Sequence, residues 1–343
     1  MTFQSDQRRL RIFTWHIHGS YLFNLVQAPH EFYVPFKPDR TEEGYCGITE
    51  SYRWPENLHE IPAEKIRNYP FDCILFQTRR NYEEDQYEIL APQQRQLPRI
   101  YLEHDTPREH ATNSHHHVED PEVLLIHVTH YNNLMWDNGS TPTKVIEHGV
   151  IIPEGINYTG ELERGLVVIN NLHSRGRLLG LDIFEEVRKK IPLDLVGINA
   201  HELGGTDSLS HRDLLEFERH YRFIFNPIRY TSLGLAVIEA MMVGLPIVGL
   251  ATTEMVTAIE NSVSGYIDTD VSKLVGHMHR LLSDPPQAQR LGQGARRQAL
   301  KRFNIQRFVF DWNAAFASVV GIAGSEGNQG AQELAYEKNY STD

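Results

Sequence analysis

Residues 226–249 carry groups that could bind a phosphate and a hydroxyl next to each other. A polar turn that contains Gly234 opens into a predicted helix that is apolar on nearly every side and ends at Gly244. The free N–H groups at the start of a helix form an anion-binding site. Glu239 lies in the second turn of this helix and needs a partner, because an unpaired buried carboxylate is costly. The segment predicts a phosphate and a hydroxyl-bearing group bound side by side, as in a nucleotide sugar.

The predicted phosphate ligands are the backbone N–H groups of Ser232, Leu233, Gly234 and Leu235, with Gly234 permitting close approach. An ordinary serine-capped helix is the alternative for this turn taken alone. Glu239 is predicted to accept hydrogen bonds from the two ribose hydroxyls of a nucleotide. The alternative is a structural glutamate bonded to a backbone turn or an arginine, which the apolar neighbours disfavour because a buried charge is expensive.

Four residues outside this segment are suited to the same ligand. Arg175 and Arg177 could neutralise a diphosphate leaving group in place of a metal ion, because guanidinium binds phosphate bidentately; a solvated loop is the alternative. Gly19 could let the first loop approach a phosphate or the reacting sugar, although such a glycine also serves the turn itself. His104 ends a predicted strand at the edge where open α/β sheets bind ligands, and it is a candidate contact to a transferred sugar. The alternative for His104 is a histidine bonded within the loop that follows it.

Three consecutive histidines at residues 115–117, with Glu109 and His110 nearby, raise the question of a metal site. Adjacent histidines in an extended loop point in different directions, whereas metal sites need ligands whose spacing lets them converge. No cysteine and no spaced acidic residue accompanies them. We therefore expect a polar loop rather than a zinc site, and we expect Asp268 and Asp270 to form a turn. The sequence predicts neither a metal nor a cofactor.

Short apolar runs alternate with helical or loop segments, which predicts βαβ units and parallel sheets. In the first half these runs cover residues 9–15, 31–35, 72–77, 99–103, 123–128 and 144–147. The alternation resumes after a segment interrupted by Pro153 and Gly155. The predicted fold is α/β, with Rossmann-like domains at residues 1–155 and 156–304 facing one cleft. Residues 305–323 are predicted to form a helix that packs back toward the first domain, and residues 324–343 a disordered tail.

Composition restricts the classes of function. The chain has 343 residues, enough for two domains, and its charged content of 23% is ordinary for a globular protein. A formal net charge of -12 argues against nucleic-acid binding. Two cysteines, no signal-peptide pattern and no run of eighteen apolar residues predict a cytoplasmic protein. A peripheral contact with the inner face of the membrane is compatible with this composition.

Residues 226–249 and 251–267 resemble the donor-binding region of glycosyltransferase family 4, whose members are retaining enzymes of the GT-B fold. The matching motifs are Gly-Leu at residues 234–235, Glu-Ala-Met at 239–241, Gly-Leu-Pro-Ile-Val at 244–248 and the segment 260–266. Upstream, weaker likenesses cover the domain-junction motif at residues 144–150, the strand-terminal histidine motif at 103–105 and the glycine loop at 17–19. The resemblance is strong from residue 222 to residue 302 and loose before residue 99.

Two positions depart from the family pattern. Relatives carry a second glutamate eight residues before the one at 239, where it helps to hold the donor sugar, and here that position is Thr231. We keep Thr231 among the predicted donor-binding residues. The family also has an Arg…Lys pair after the first strand of the second domain. The arginine position holds Asn171, and Arg175 or Arg177 could serve for the lysine.

The resemblance implies a retaining, metal-independent glycosyltransferase, with donor binding in the second domain and acceptor binding in the first. It implies a nucleotide-sugar donor, a glycan or lipid-linked acceptor and a place in cell-surface polysaccharide assembly. Two alternatives stay open. Thr231 is compatible with a degenerate protein that binds a nucleotide sugar without turnover, and a sugar-nucleotide epimerase can have the same fold.

Overall fold

The computed structural model describes residues 8–207 and 209–321 of the chain. Its framework is two sheets in which all strand pairs are parallel. The strands of the first sheet are β1 (Arg11–Thr14), β2 (Glu31–Phe36), β3 (Leu58–Pro62), β4 (Cys73–Phe76), β5 (Arg99–Glu103), β6 (Val123–His127) and β7 (Thr143–Val145). Those of the second are β8 (Leu162–Val168), β9 (Leu193–Val196), β10 (Tyr221–Asn226), β11 (Ile247–Leu250) and β12 (Gly265–Asp268).

Helices cover the faces of both sheets. They are α1 (Gly19–Leu25), α2 (Gln86–Ile89), α3 (His130–Met135), α4 (Leu172–Arg175), α5 (Leu181–Val187), α6 (His211–Glu218), α7 (Leu235–Val243), α8 (Met255–Ala258), α9 (Val271–Ser283), α10 (Pro285–Arg302) and α11 (Ile305–Val320). Single turns of 3-10 or π helix cover Ala63–Asn68, Asn81–Asp85, Gln94–Gln96, Gly176–Leu179 and Ala200–Leu203. Within the described residues, none of these helices combines the length and the apolar character needed to cross a bilayer.

Strand order fixes where ligands can bind. The first sheet runs β3-β2-β1-β4-β5-β6-β7, so the connections leave in opposite directions from β1 and β4. The second runs β12-β11-β10-β8-β9, with the same reversal between β8 and β10. In open α/β sheets the crevice for a ligand forms outside the carboxyl ends of the strands at such a reversal. The loops after β1, β4, β5, β8 and β10 are therefore the ones able to carry a site.

Helix α7 is buried on every side. From Val237 to Val243 every residue is buried, as the apolar sequence predicts. The helix ends at Gly244, whose φ of 103° suits only glycine. There α7 touches α10 backbone to backbone, since a Cβ on Gly292 would lie 1.9 Å from the Gly244 carbonyl oxygen. Close packing on all sides gives the start of α7 a fixed position in the second domain.

The chain crosses between the two sheets twice. It leaves the first sheet after β7, and it returns after α10 so that α11 joins the core of the first domain through Phe308, Trp312 and Phe316. Trp312 also donates an indole hydrogen bond of 3.1 Å to the Tyr21 hydroxyl. The crossing segments lie side by side, because the Val150 N–H donates to the Phe303 carbonyl at 2.9 Å.

The predicted α/β class with parallel sheets is confirmed. The predicted boundary at residue 155 falls in the connection between β7 and β8, and the tail predicted from residue 324 lies outside the described residues. The sequence pattern does not predict β3 or α6. β3 is only five residues long and α6 is short and largely polar, so apolar periodicity does not mark either of them.

Candidate functional site

A cavity of about 790 Å³ opens between the carboxyl ends of the two sheets. Every residue predicted to bind the donor or take part in catalysis lines it, with the exception of Arg177. From the first domain these are Gly19 and His104; from the second they are Arg175, Thr231, Ser232, Leu233, Gly234, Leu235 and Glu239. Residues that lie far apart in the sequence, in different domains, are thus brought to one place.

The start of α7 faces the cavity with free backbone donors. Gly234 precedes the helix in an extended conformation, and no side chain in the described part of the chain caps the first turn. The alternative of a serine-capped helix is wrong for Ser232, whose buried hydroxyl has no hydrogen-bond partner among the described residues. Within the same residues, the N–H groups of Leu235 and Ala236 have no acceptor. Such a terminus suits an anion.

Gly234 offers a test of this anion site. Its φ is -72°, and a Cβ built on it would meet no atom within 4 Å, so a larger residue fits the fold. We expect Gly234→Val to weaken nucleoside diphosphate binding by about tenfold or more, about 1.4 kcal/mol, because the new side chain fills space beside the free N–H groups. Calorimetric titration measures this. Gly276→Val, at an equally open glycine in α9, is the control and should leave affinity unchanged. Equal affinities for Gly234→Val and the wild type would remove the anion site from this turn.

Glu239 is 3% exposed, and its Oε1 lies 3.2 Å from the Nε2 of His211. The partner of this carboxylate is therefore a histidine, neither an arginine nor a backbone turn. His211 begins α6, and its ring also meets Tyr52 and Phe23 of the first domain at centroid distances of 5.2 and 5.6 Å. One imidazole thus contacts both the predicted ribose ligand and the opposite side of the cavity.

A second buried carboxyl group stands behind Glu239. Glu218, at the other end of α6, is 1% exposed, and its Oε1 has no hydrogen-bond partner among the described residues. Burial, and then the charge of Glu239, raise the pKa of Glu218 well above its ordinary value. Glu218 does not line the cavity.

Glu218→Gln is expected to stabilise the protein at neutral and higher pH. In the unfolded chain Glu218 loses its proton near its ordinary pKa, whereas the folded protein retains it until the raised pKa. The contribution of Glu218 to stability is therefore complete below the ordinary pKa and is lost as pH rises toward the raised one. Glutamine mimics the protonated acid at every pH.

We expect a gain on the order of 1 kcal/mol in the free energy of unfolding at pH 8, shrinking as pH falls toward 4. Unfolding temperatures measured from pH 4 to pH 8 provide the comparison. Glu216→Gln, on the same helix but partly exposed and paired with Arg219, is the control. A Glu218→Gln variant that is less stable than the wild type at pH 8 would show that Glu218 is ionised in the fold.

Arg175 and Arg177 occupy different environments although only Gly176 separates them. Arg175 lines the cavity and, within the described residues, forms no ion pair. Burial and the guanidinium of Arg108 lower the pKa of Arg175, while Asp105 raises it. The side chain of Arg177 is 75% exposed and paired with Asp182, outside the cavity. The predicted role of Arg177 as a diphosphate ligand is therefore corrected, and Arg175 is the candidate.

Asn171, which replaces the arginine of the family pattern, is also turned away from the cavity. It has a φ of 56°, and its side-chain oxygen accepts a 2.8 Å hydrogen bond from Asn199. Its neighbour Asn170 lines the cavity instead. The loop after β8 therefore supplies Arg175 as its charged group toward the cavity.

Gly19 and His104 form part of the wall contributed by the first domain. A Cβ on Gly19 would lie 2.9 Å from Tyr52 Cε2, so glycine is required for the contact with Tyr52. His104 follows β5, and its Nε2 lies 3.2 Å from the side-chain oxygen of Gln77. Burial and the neighbouring His18 and His148 lower the pKa of His104 well below its ordinary value. The ring is thus bonded to the residue that follows β4 and not to its own loop.

Several lining residues are absent from the sequence-based prediction. They are His16, His18, Tyr52, His148 and His211. His18 and His148 directly precede glycines in the motifs at residues 17–19 and 144–150, so a polar residue beside a strand-terminal glycine was the available signal. Tyr52 and His211 lie in a loop and in the unpredicted helix α6, and no local pattern marks them.

The histidines at 115–117 do not all diverge. His115 bonds Asp137, but the rings of His116 and His117 stack at 4.4 Å, and their nitrogens lie within 4.8 Å of each other and of Glu103. An acidic partner does therefore accompany them. His116 Nδ1 accepts the Val118 N–H at 3.1 Å, so its proton is on Nε2 and is donated to Glu103 at 3.1 Å. A cation here would have to displace that proton, and the buried Nε2 of His117 has no hydrogen-bond partner among the described residues.

Comparison with known proteins gives one sequence match and many structural ones. Residues 200–298 match the family model described as glycosyl transferases group 1. No curated protein sequence matches the chain. The matched residues include α6, β10 and α7, which carry His211 and Glu239 and the turn at 231–234, whereas Arg175 and the loop after β8 lie outside the matched range.

Three solved structures illustrate the structural likeness. Sucrose-phosphate synthase from Thermosynechococcus elongatus has a TM-score of 0.65 at 15% identity, over 91% of this chain and 100% of that one. Anabaena HepE in complex with UDP-glucose has a TM-score of 0.65 at 13% identity, and the match covers 90% of this chain and 100% of HepE. A mutant of S. aureus TarM in complex with Fondaparinux, alpha-GlcNAc-glycerol and UDP has a TM-score of 0.51 at 13% identity. That match covers 71% of this chain and 55% of TarM.

At these identities the structures establish the fold. The two facing Rossmann-like domains and the cleft between them are those of the GT-B fold, as predicted. The resemblance to group 1 glycosyltransferases, predicted from the motifs around Gly234 and Glu239, is confirmed: the chain has the GT-B fold and carries the group 1 sequence pattern over residues 200–298.

Proposed function

We propose that the protein is a retaining glycosyltransferase that moves a sugar from a nucleotide sugar to a glycan or lipid-linked acceptor. The observation that carries this proposal is the meeting of three groups in one cavity: the start of α7 and Arg175, which have neither a cap nor an ion pair among the described residues, and the buried Glu239. The start of α7 suits a diphosphate, and the Arg175 guanidinium suits the negative charge that this diphosphate gains as it leaves. Glu239 suits the hydroxyls of a ribose. The likeness to structures solved with UDP or UDP-glucose supports the same ligand class.

The chemistry we propose is electrostatic stabilisation of the departing nucleoside diphosphate. Negative charge grows on the diphosphate as the sugar leaves, and fixed donors in a cavity stabilise that charge. The N–H groups at the start of α7 and the Arg175 guanidinium are such donors. We propose that they make a divalent cation unnecessary, so that turnover persists in EDTA. Assembly of a cell-surface polysaccharide, at the inner face of the membrane, is the role we propose for the product.

A thermal-shift screen of UDP, GDP and ADP and their sugars tests the proposal first. A ligand that binds only the folded protein stabilises it by about 2.7 kcal/mol at 100 times its dissociation constant. We expect the nucleotides of one of these three bases to raise the unfolding temperature of the protein strongly. Product analysis with the matching donor and an acceptor panel, with and without EDTA, then tests transfer. If none of the nucleotides binds, the proposal is wrong.

Thr231 favours a second candidate, a protein that binds a nucleotide sugar without turnover. Thr231 lines the cavity, and it offers a hydroxyl where relatives carry a carboxylate. Donor binding without hydrolysis or transfer across a broad acceptor panel would support this candidate. Thr231→Glu is the informative variant, because it restores the carboxylate: turnover gained by this variant alone would identify the missing group.

A further inference from the structure

The carboxylate of Glu239 is held by a residue outside its own helix. The neighbours of Glu239 on α7 are apolar, and among the described residues the one hydrogen bond to this carboxylate comes from His211, at 3.2 Å between Nε2 and Oε1. An ionised carboxylate only accepts hydrogen bonds, so His211 Nε2 carries a proton and donates it. The last torsion of a glutamate side chain has a broad range of allowed angles. The direction in which the two oxygens of Glu239 face therefore depends on His211.

The bond from His211 leaves room for a ligand on the same carboxylate. An ionised carboxylate can accept about four hydrogen bonds, two at each oxygen. His211 uses one of them at Oε1, and within the described residues Oε2 accepts none. Glu239 lines the cavity. Two neighbouring hydroxyls can consequently bond to the two oxygens while His211 keeps its own bond.

The ring of His211 is in turn held from the first domain. His211 begins α6 directly after Ser210, whose hydroxyl caps the helix, and only 9% of its side chain is exposed. Its ring packs against the rings of Tyr52 and Phe23, both from the first domain. The Tyr52 hydroxyl lies 2.8 Å from the hydroxyl of Ser20, in the loop after β1. A chain of contacts thus runs from that loop, through Tyr52 and His211, to the carboxylate on α7.

We propose that His211 is the positioning residue for Glu239, and that Tyr52 of the first domain holds His211 in place. His211 sets the two carboxylate oxygens so that each accepts one hydroxyl of a ribose. The first domain thereby completes a hydroxyl-binding site on the second, and the protein prefers ribonucleotides to 2′-deoxyribonucleotides through this pair. The ribose preference rests on the proposed function, whereas the contact between His211 and Glu239 does not.

Calorimetric titration of the full chain with UDP, GDP and ADP, and with the 2′-deoxy form of the one that binds best, tests this role. The readout is the ratio of the two affinities, because a loss of packing alone would weaken both nucleotides alike. We expect His211→Leu to lower the preference for the ribonucleotide by about tenfold, about 1.4 kcal/mol. His211→Gln should retain most of it, because the glutamine amide can donate in place of Nε2.

His201→Leu is the matched control. It removes another histidine of the second domain that bonds a carboxylate, since His201 Nδ1 lies 2.9 Å from Asp207, but this pair is outside the cavity. We expect the ribose preference of this variant to equal that of the wild type.

The role of Tyr52 is tested in two backgrounds. Tyr52→Ala should lower the ribose preference of the wild type, because the His211 ring loses its support. In His211→Leu the same change should have no further effect on the preference, since two residues that act through one contact are not additive.

Each outcome decides one part. An unchanged or higher ribose preference in His211→Leu overturns the positioning role. Equal effects of Tyr52→Ala in both backgrounds overturn the role of Tyr52 and leave that of His211. A wild type that binds both nucleotides alike overturns the ribose assignment, while nucleotide binding itself still supports the proposed function. If no nucleotide binds, the proposed function fails and the ribose preference fails with it.

Discussion

Glu239→Ala is expected to weaken nucleotide-sugar binding by about 100-fold or more with little effect on folding. A hydrogen bond to a charged acceptor contributes about 1.5–3 kcal/mol, and Glu239 is proposed to accept two of them from a ribose. Two such bonds correspond to at least ~3 kcal/mol, or roughly 100-fold in Kd. The fold loses the bond to His211, but it also loses the charge that opposes ionisation of Glu218. Calorimetric titration and an unfolding curve measure the two effects separately.

Glu218→Gln is the control for the expected loss of affinity in Glu239→Ala. Glu218 stands directly behind Glu239 but does not line the cavity, so its replacement by an isosteric neutral group should leave affinity unchanged. A well-folded Glu239→Ala variant with wild-type affinity would remove the ribose site from α7. If both variants lose affinity equally, the packing of α6 on α7, and not the carboxylate of Glu239, controls binding.

Arg175→Ala is expected to lower kcat by about 100-fold to 1000-fold, the range found when one donor to a developing negative charge is removed. Its guanidinium faces the cavity without a carboxylate partner among the described residues, so its charge is available to the leaving diphosphate. KM should change less than kcat, because this charge develops mainly in the transition state. Steady-state kinetics with the preferred donor provide the measurement.

Arg177→Ala is the matched control, two residues away and with the same loss of charge. Its side chain is exposed and paired with Asp182, an arrangement in which ion pairs contribute ~0–1 kcal/mol. We expect kcat close to that of the wild type. Full activity in both variants would mean that another group neutralises the diphosphate, and a divalent cation would then be the first candidate to test.

Local sequence patterns predicted the parts of the site that are local. The start of α7, its apolar faces and Glu239 lie within one short segment, and their spacing alone predicts an anion site beside a carboxylate. The partner of Glu239 could not be predicted in this way, because His211 belongs to a short polar helix without apolar periodicity. Its distance from Glu239 depends on how α6 packs against α7.

The two arginines show a different limit of prediction from sequence. Arg175 and Arg177 are equivalent in sequence, since each is a cation beside the same glycine. Gly176 has a φ of 54° and begins the 3-10 turn that directly follows α4, so the chain changes direction between the two side chains. A backbone angle that glycine alone adopts readily decides which arginine reaches the cavity, and it leaves no trace in spacing or composition.

The paired crossings at Val150 and Phe303 have a mechanical consequence for catalysis. The two chain segments that connect the domains are joined by a hydrogen bond, so we expect any relative movement of the domains to bend both segments at the same place. Gly19 and His104 line the cavity from the first domain and Arg175 and Glu239 from the second, so such a movement would change the distance between these two sides of the cavity. Donor entry and product release would then depend on the same bending, and we expect a change that stiffens these two segments to slow both steps together.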